Sequence, residues 1–99
     1  MKRINVAFQE GFDRDPVIAF LDEKEFWRSE SASTRMQIGL AASAEVEVEE
    51  GKHRLRVSLP GRGLQADLEL EVPPDINVGV SIIDGQIRFA TSVEPFRYA

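Results

Sequence analysis

The chain has 99 residues, the length of one ordinary domain, so we expect a single domain over residues 1–99. Twelve Lys and Arg against seventeen Asp and Glu give a formal net charge of −5. This acidic balance argues against a nucleic-acid partner and against docking on anionic lipid, both of which need an uncompensated basic surface. The absence of Cys excludes disulfides and thiolate metal sites and suits the cytoplasm.

The N-terminal segment is too polar for a signal peptide or a membrane-spanning helix, because Asn5, Gln9 and Glu10 interrupt it at once. We therefore expect a soluble, cytoplasmic protein. Within this segment Ile4, Val6 and Phe8 alternate with more polar positions, which predicts a half-buried strand over residues 3–9. That strand carries little edge protection and would allow edge-to-edge pairing of two copies.

Two more strands follow in the first third of the chain. Residues 17–21 are apolar on both faces, which predicts a central strand, and residues 26–28 resume an extended run after a turn at 22–25. Residues 34–43 are open to two interpretations. Thr34 would cap a short helix carrying Met36 and Leu40, but Gly39 costs a helix roughly 1 kcal/mol relative to Ala, and the apolar alternation favours a strand.

The segment 44–72 predicts a three-strand antiparallel meander. Ala44, Val46 and Val48 alternate with glutamates, and Glu50-Gly51 suits a tight hairpin to a strand over 52–59. The loop at 60–63 then sets Leu59 opposite Leu64. In this register Arg54 and Arg56 each lie between two carboxylates, one on each neighbouring strand. We therefore expect the outer face of the meander to be internally neutralised and solvated.

Residues 76–91 predict a hairpin around Asp84-Gly85, a strong signal for a tight turn. Its register pairs Ile82 with Ile87 and Val80 with Phe89. The whole pattern is of seven or eight short strands separated by turns about ten residues apart, and it predicts an all-β fold, a small antiparallel β-sandwich.

No residue is assigned to catalysis, to a cofactor or to a metal. His53, the only histidine, is expected near the rim of the inner face, opposite Val48 and Leu70 and away from any carboxylate that would orient a general base. Asp13, Asp15, Asp22 and Glu23 lie in two loops that a sandwich could bring together as calcium ligands, but their spacing matches no calcium loop. The pattern favours a non-enzymatic protein.

The aromatic residues are the candidate binding residues. Phe26 and Trp27 are adjacent in an extended run and so point to opposite faces, and Phe96 and Tyr98 alternate in the C-terminal tail. Either these rings cover the ends of the sandwich, or Trp27, Phe96 and Tyr98 form an exposed interface patch. We expect a protein-interaction domain that binds a second copy or another protein. The alternatives are a small-molecule or carbohydrate binder that stacks ligands on these rings and, less favoured, an enzyme.

Overall fold

The computed structural model describes residues 2–34, 39–72 and 76–92. These residues form eight strands: β1 (Lys2–Phe8), β2 (Asp15–Leu21), β3 (Lys24–Ala32), β4 (Ala42–Val48), β5 (Gly51–Leu59), β6 (Leu64–Val72), β7 (Ile76–Ile83) and β8 (Gln86–Ser92). A single 3-10 turn, Pro60–Arg62, joins β5 to β6. The strands make two four-stranded sheets, in the order β4-β1-β7-β8 (sheet A) and β3-β2-β5-β6 (sheet B).

The predicted all-β sandwich is confirmed, with its two sheets packed face to face. One strand pair departs from the antiparallel expectation: β1 runs parallel to β7, with Ile4 beside Ile76 and Phe8 beside Val80. The chain leaves sheet A after β1 and returns to it later, so no hairpin sets the relative direction of these two strands.

The first half of the predicted meander is wrong. β4 does not pair with β5; it lies in sheet A, antiparallel to β1, with Val46 beside Ile4 and Val48 beside Lys2. The predicted turn at Glu50-Gly51 is not a hairpin turn: Glu49 and Glu50 form the crossover from β4 in sheet A to β5 in sheet B. The alternating pattern of β4 fits any neighbour with one apolar face, and β1 supplies such a face as well as β5 does.

The other two predicted registers are confirmed. Leu59 lies opposite Leu64 in the β5–β6 hairpin. In the β7–β8 hairpin Ile82 lies opposite Ile87, and Val80 lies opposite Phe89. The β7–β8 turn has positive φ at both central residues, 53° at Asp84 and 74° at Gly85, as a two-residue hairpin loop requires. Both hairpins close over short loops, so local turn chemistry sets their registers.

The prediction that β2 is central is confirmed, since it lies between β3 and β5. The prediction of an open edge at residues 3–9 is wrong, because β4 and β7 flank β1 on its two sides. The prediction of helix or strand for residues 34–43 falls in large part on residues 35–38, which lie outside the described residues. At the C-terminal end of this segment, Ala42 and Ser43 begin β4.

The core lies between the two sheets and is built from the inward residues of almost every strand. Its fully buried side chains are Ile4, Val6, Phe8, Val17, Leu55, Val57, Leu59, Val78 and Val80. Phe12, in the β1–β2 loop, closes one end, with its ring edge-on to that of Phe8 at a centroid distance of 5.9 Å. Thr34, after β3, anchors the same loop, because its hydroxyl oxygen accepts from the Phe12 N–H at 3.0 Å.

Candidate functional site

Among the described residues, strand β8 forms an edge of sheet A with little protection against strand addition. It pairs with β7 in one unbroken register from Gln86 to Ser92, without a bulge. Its only charged residue is Arg88, and Ala90 and Thr91 are exposed. A long, regular edge strand of low charge is the type that pairs with another strand.

The other three edges of the described sandwich are better protected. Strand β3 has four charged residues and two irregularities in its pairing with β2. Strand β6 has three carboxylates on its outer face. Strand β4 has Glu45 and Glu47, followed by two more glutamates, which would repel an incoming strand of the same kind.

The acidic run Glu45–Glu50 is not neutralised in the predicted way. Lys52, Arg54 and Arg56 belong to the other sheet, so its cationic neighbours come from β1 instead. Arg3 Nε lies 2.6 Å from Glu45 Oε1, and Lys2 Nζ lies 3.8 Å from Glu50 Oε1. Four carboxylates therefore share two cations, and the β4 edge is acidic.

The outer face of β2 carries two apolar side chains, Ile18 and Phe20, which are half-buried. Ile18 lies between Arg28 and Ser58, and Phe20 lies between residues of β3 and β5. All the described strands belong to the two sheets, so none lies over this face. The register places Arg28 beside Ile18 and Arg56 beside Phe20.

His53 makes two short polar contacts that the sequence did not predict. Its Nδ1 lies 2.6 Å from Asp22 Oδ2, and its Nε2 lies 2.7 Å from the Glu49 carbonyl oxygen. Leu70 lies opposite His53 as predicted, but Val48 does not, because it belongs to the other sheet. The expectation that no carboxylate reaches this histidine is also wrong.

Asp22 is held in place by β5. Its N–H donates to the Arg54 carbonyl at 2.9 Å, and its Oδ1 accepts from the Arg54 N–H at 2.9 Å. It occupies the first position of the β2–β3 turn with φ of 49°, followed by Glu23 with φ of 71°. The turn thus projects the carboxylate back over β5 toward His53.

The hydrogen bond that the His53 ring donates to the Asp22 carboxylate raises the pKa of His53, and the one to the Glu49 carbonyl adds to that shift. In turn, His53 lowers the pKa of the Asp22 carboxyl group. The pair lies in an open cleft of about 550 Å³ lined by Asp22, Glu23, Lys52, His53, Arg54, Glu69, Leu70 and Glu71. Among these residues no Ser, Thr or Cys is available as a nucleophile for the histidine to activate.

The two acidic loops lie at opposite ends of β2, so the four carboxylates considered as calcium ligands do not meet. Asp15 is buried at the start of β2 and paired with Arg62, whose Nε and Nη2 lie 2.8 Å from its two oxygens. Asp22, at the other end, is paired with His53. The described residues contain no cluster of three potential metal ligands.

Trp27, the only described member of the predicted aromatic patch, is half-buried. Its ring stacks on that of Phe8 with centroids 4.6 Å apart and planes at 16°. One face of the indole is therefore covered by the core. Phe96 and Tyr98 lie outside the described residues. A binding role for Trp27, Phe96 and Tyr98 stays a prediction.

Comparison with known proteins adds no relative. No protein-family model matches the chain, and a search of curated proteins finds no match. In the described part of the chain, no helix has the length and hydropathy that a membrane span requires.

Sequence reasoning missed the two long-range polar contacts and the open edge at β8. Asp22 and His53 are 31 residues apart, and Asp15 and Arg62 are 47 apart. No short-range sequence pattern predicts a contact between residues that are so far apart in the chain. The low charge of residues 86–92 was visible in the sequence, but it became informative only once β8 was known to be an edge.

Proposed function

We propose that this domain is a non-enzymatic protein-interaction domain that self-associates through the edge of β8. The single observation that carries the proposal is that β8 is the least protected of the four described edges: it is regular, seven residues long and has one charged residue. The sequence of β8 is best suited to pairing with β8 of a second copy of the chain. A cytoplasmic location is part of the proposal, and the cysteine-free sequence suits it.

Self-complementarity supports a second copy as the partner. Antiparallel pairing about a two-fold axis at Phe89 sets Arg88 of one copy opposite Ala90 of the other, and Ile87 opposite Thr91. Arg88 is the only charged residue of β8 and faces Ala90 in this pairing, so no like charges lie directly opposite each other. The pairing joins two copies of sheet A into one eight-stranded sheet and satisfies the open backbone groups of β8.

The test is the mass of the protein in solution, measured by size-exclusion chromatography with light scattering over a wide range of concentrations. We expect a mass of about twice the 11.1 kDa of one chain. Ala90→Lys places a second cation opposite Arg88 of the partner copy and should shift the protein to the monomer mass.

Ser43→Lys is the matched control. Ser43 and Ala90 lie in one row of sheet A, joined through Ala7 and Gly79, but at opposite edges of the sheet. Both residues are exposed. We expect Ser43→Lys to keep the mass of the wild type. A wild type that stays at 11.1 kDa at all concentrations, or a dimer that survives Ala90→Lys, contradicts the proposal.

A further inference from the structure

His53 connects three segments that are distant in the chain. It lies on β5, its Nδ1 contacts Asp22 in the β2–β3 turn, and its Nε2 contacts the Glu49 carbonyl oxygen just after β4. Glu49 belongs to the crossover between the two sheets, and Asp22 belongs to the turn between two neighbouring strands of sheet B. The histidine therefore fastens the crossover and the turn to the same strand.

Both partners of the imidazole are acceptors. An ionised carboxylate and a backbone carbonyl have no proton to give, so each contact needs an N–H on the ring. The imidazolium has two N–H groups and satisfies both partners, whereas the neutral ring has one and satisfies only one. At 2.6 and 2.7 Å the two contacts have the short lengths of charge-assisted hydrogen bonds.

We propose that protonated His53 is a pH-sensitive clip that holds the crossover to sheet B, and that loss of its proton releases the crossover at Glu49. The carboxylate of Asp22 is the stronger acceptor and stays bound to β5 through Arg54 in either state. The neutral ring therefore keeps its proton on Nδ1, and the Nε2 lone pair is left facing the Glu49 carbonyl oxygen. That contact becomes repulsive and opens.

The charged surroundings favour the closed clip. The charged groups around His53 come from the turn, the crossover, β5 and β6: Asp22, Glu23, Glu49, Lys52, Arg54, Glu69 and Glu71. Of these groups, Asp22 and Glu49 supply the negative charge that stabilises the imidazolium and raises the pKa of His53. The ring is also mostly shielded, with its side chain 15% exposed, so solvent screening of the contacts is partial.

The direction of the pH effect follows from these shifts. A raised pKa in the folded protein means that the clip contributes its full stability below the ordinary histidine value of 6.5 and loses it as pH rises through the folded value. The pKa of Asp22 is lowered, so its contribution is present above the ordinary value of 3.8 and is lost as pH falls through its folded value. The clip is therefore closed in mildly acidic solution.

Nuclear magnetic resonance tests the clip directly, because His53 is the only histidine and its ring signals have no overlap. We expect the ring to titrate with a midpoint above pH 6.5. Both ring nitrogens should be protonated below that midpoint, and the proton on Nδ1 should be retained above it. Amide-exchange protection at residues 49–51 should fall on the order of tenfold through the same titration, while protection in β7 stays constant.

Three variants separate the clip from general effects of pH. Asp22→Asn removes the charge of one partner and should return the pKa of His53 toward 6.5, whereas Glu71→Gln, which removes a nearby charge without a contact, should move it much less. His53→Gln should abolish the pH dependence of protection at 49–51. Two results for the wild type overturn the proposal even if a variant fails to fold. One is a titration midpoint of His53 at or below pH 6.5, and the other is amide-exchange protection at 49–51 that does not change through the titration.

Discussion

Arg62 and Asp15 form a two-pronged ion pair that joins the β5–β6 turn to the start of β2. Arg62 Nε lies 2.8 Å from Asp15 Oδ1, and Nη2 lies 2.8 Å from Oδ2. The same Nη2 donates to the Gly11 carbonyl at 3.0 Å, so the guanidinium also holds the β1–β2 loop. Asp15 is buried, and its second oxygen also accepts from the Asp13 N–H at 2.8 Å.

Arg62→Met should destabilise the protein by about 1–3 kcal/mol, because it leaves a buried carboxylate without its main partner. Urea unfolding followed by tryptophan fluorescence measures the change. Arg28→Met is the matched control: the Arg28–Glu25 pair is as short, at 2.6 Å, but both side chains are well exposed. It should leave the midpoint unchanged. Equal losses of unfolding free energy in the two variants would contradict the view that burial makes the Arg62–Asp15 pair more important for stability.

The same pair makes stability depend on pH in acid. Arg62 lowers the pKa of Asp15, so the pair contributes its full stability above the ordinary aspartate value of 3.8 and loses it as pH falls through the lower folded value. Arg62→Met should therefore weaken the pH dependence of the unfolding free energy below the ordinary aspartate value of 3.8. Wild type and variant with parallel acid profiles would contradict this assignment.

Gly11→Ala should be among the most damaging small substitutions in the chain. Gly11 has φ of +89°, and an added Cβ would lie 2.2 Å from the Ile82 carbonyl oxygen. We expect a loss of about 3 kcal/mol or more, since both backbone strain and a backbone clash must be relieved. Gly63→Ala separates the two causes, because Gly63 also has positive φ, +65°, but has open space around it. Its loss should be about 1 kcal/mol in the same urea experiment.

Glu23→Gly should stabilise the protein. Glu23 has φ of 71° in the β2–β3 turn, where Gly85 has φ of 74° at the matching position of the β7–β8 turn. The substitution relieves the strain of a left-handed backbone at a non-glycine residue, but it also raises the entropy of the unfolded chain. The net gain in the free energy of unfolding should be about 0.5–1 kcal/mol. Calorimetry should show Tm raised by about 3–6 °C. The reverse change, Gly85→Glu, should lower Tm; a shift of the same sign in both would contradict the explanation.

Trp27→Ala should destabilise the protein by about 2 kcal/mol or more, because it removes the ring that stacks on Phe8. Trp27→Phe keeps an aromatic ring at this position and should lose much less. Chemical unfolding followed by circular dichroism suits both variants, since the only tryptophan is removed. If Trp27→Ala keeps wild-type stability, the stacking contact contributes little and the residue is available for another role.

The sequence predicted local pairing well and distant pairing poorly. Leu59 and Leu64 face each other across a four-residue loop, and turn chemistry alone sets that register. The partner of β4 was mispredicted because its charges match two different strands: Glu47 pairs as readily with Arg3 of β1 as with a basic residue of β5. Charge matching tests a register only after the correct neighbour is known.

The alternation of apolar and polar residues in the sequence therefore determined the strands, their inward faces and the two hairpins, because a strand with one apolar face must bury it whatever its neighbours are. Only the tertiary structure decided which strands are edges and which polar groups meet. His53 reaches Asp22 across 31 residues, and Arg62 reaches Asp15 across 47. Such contacts depend on the order of strands in the sheets, which short-range patterns do not encode.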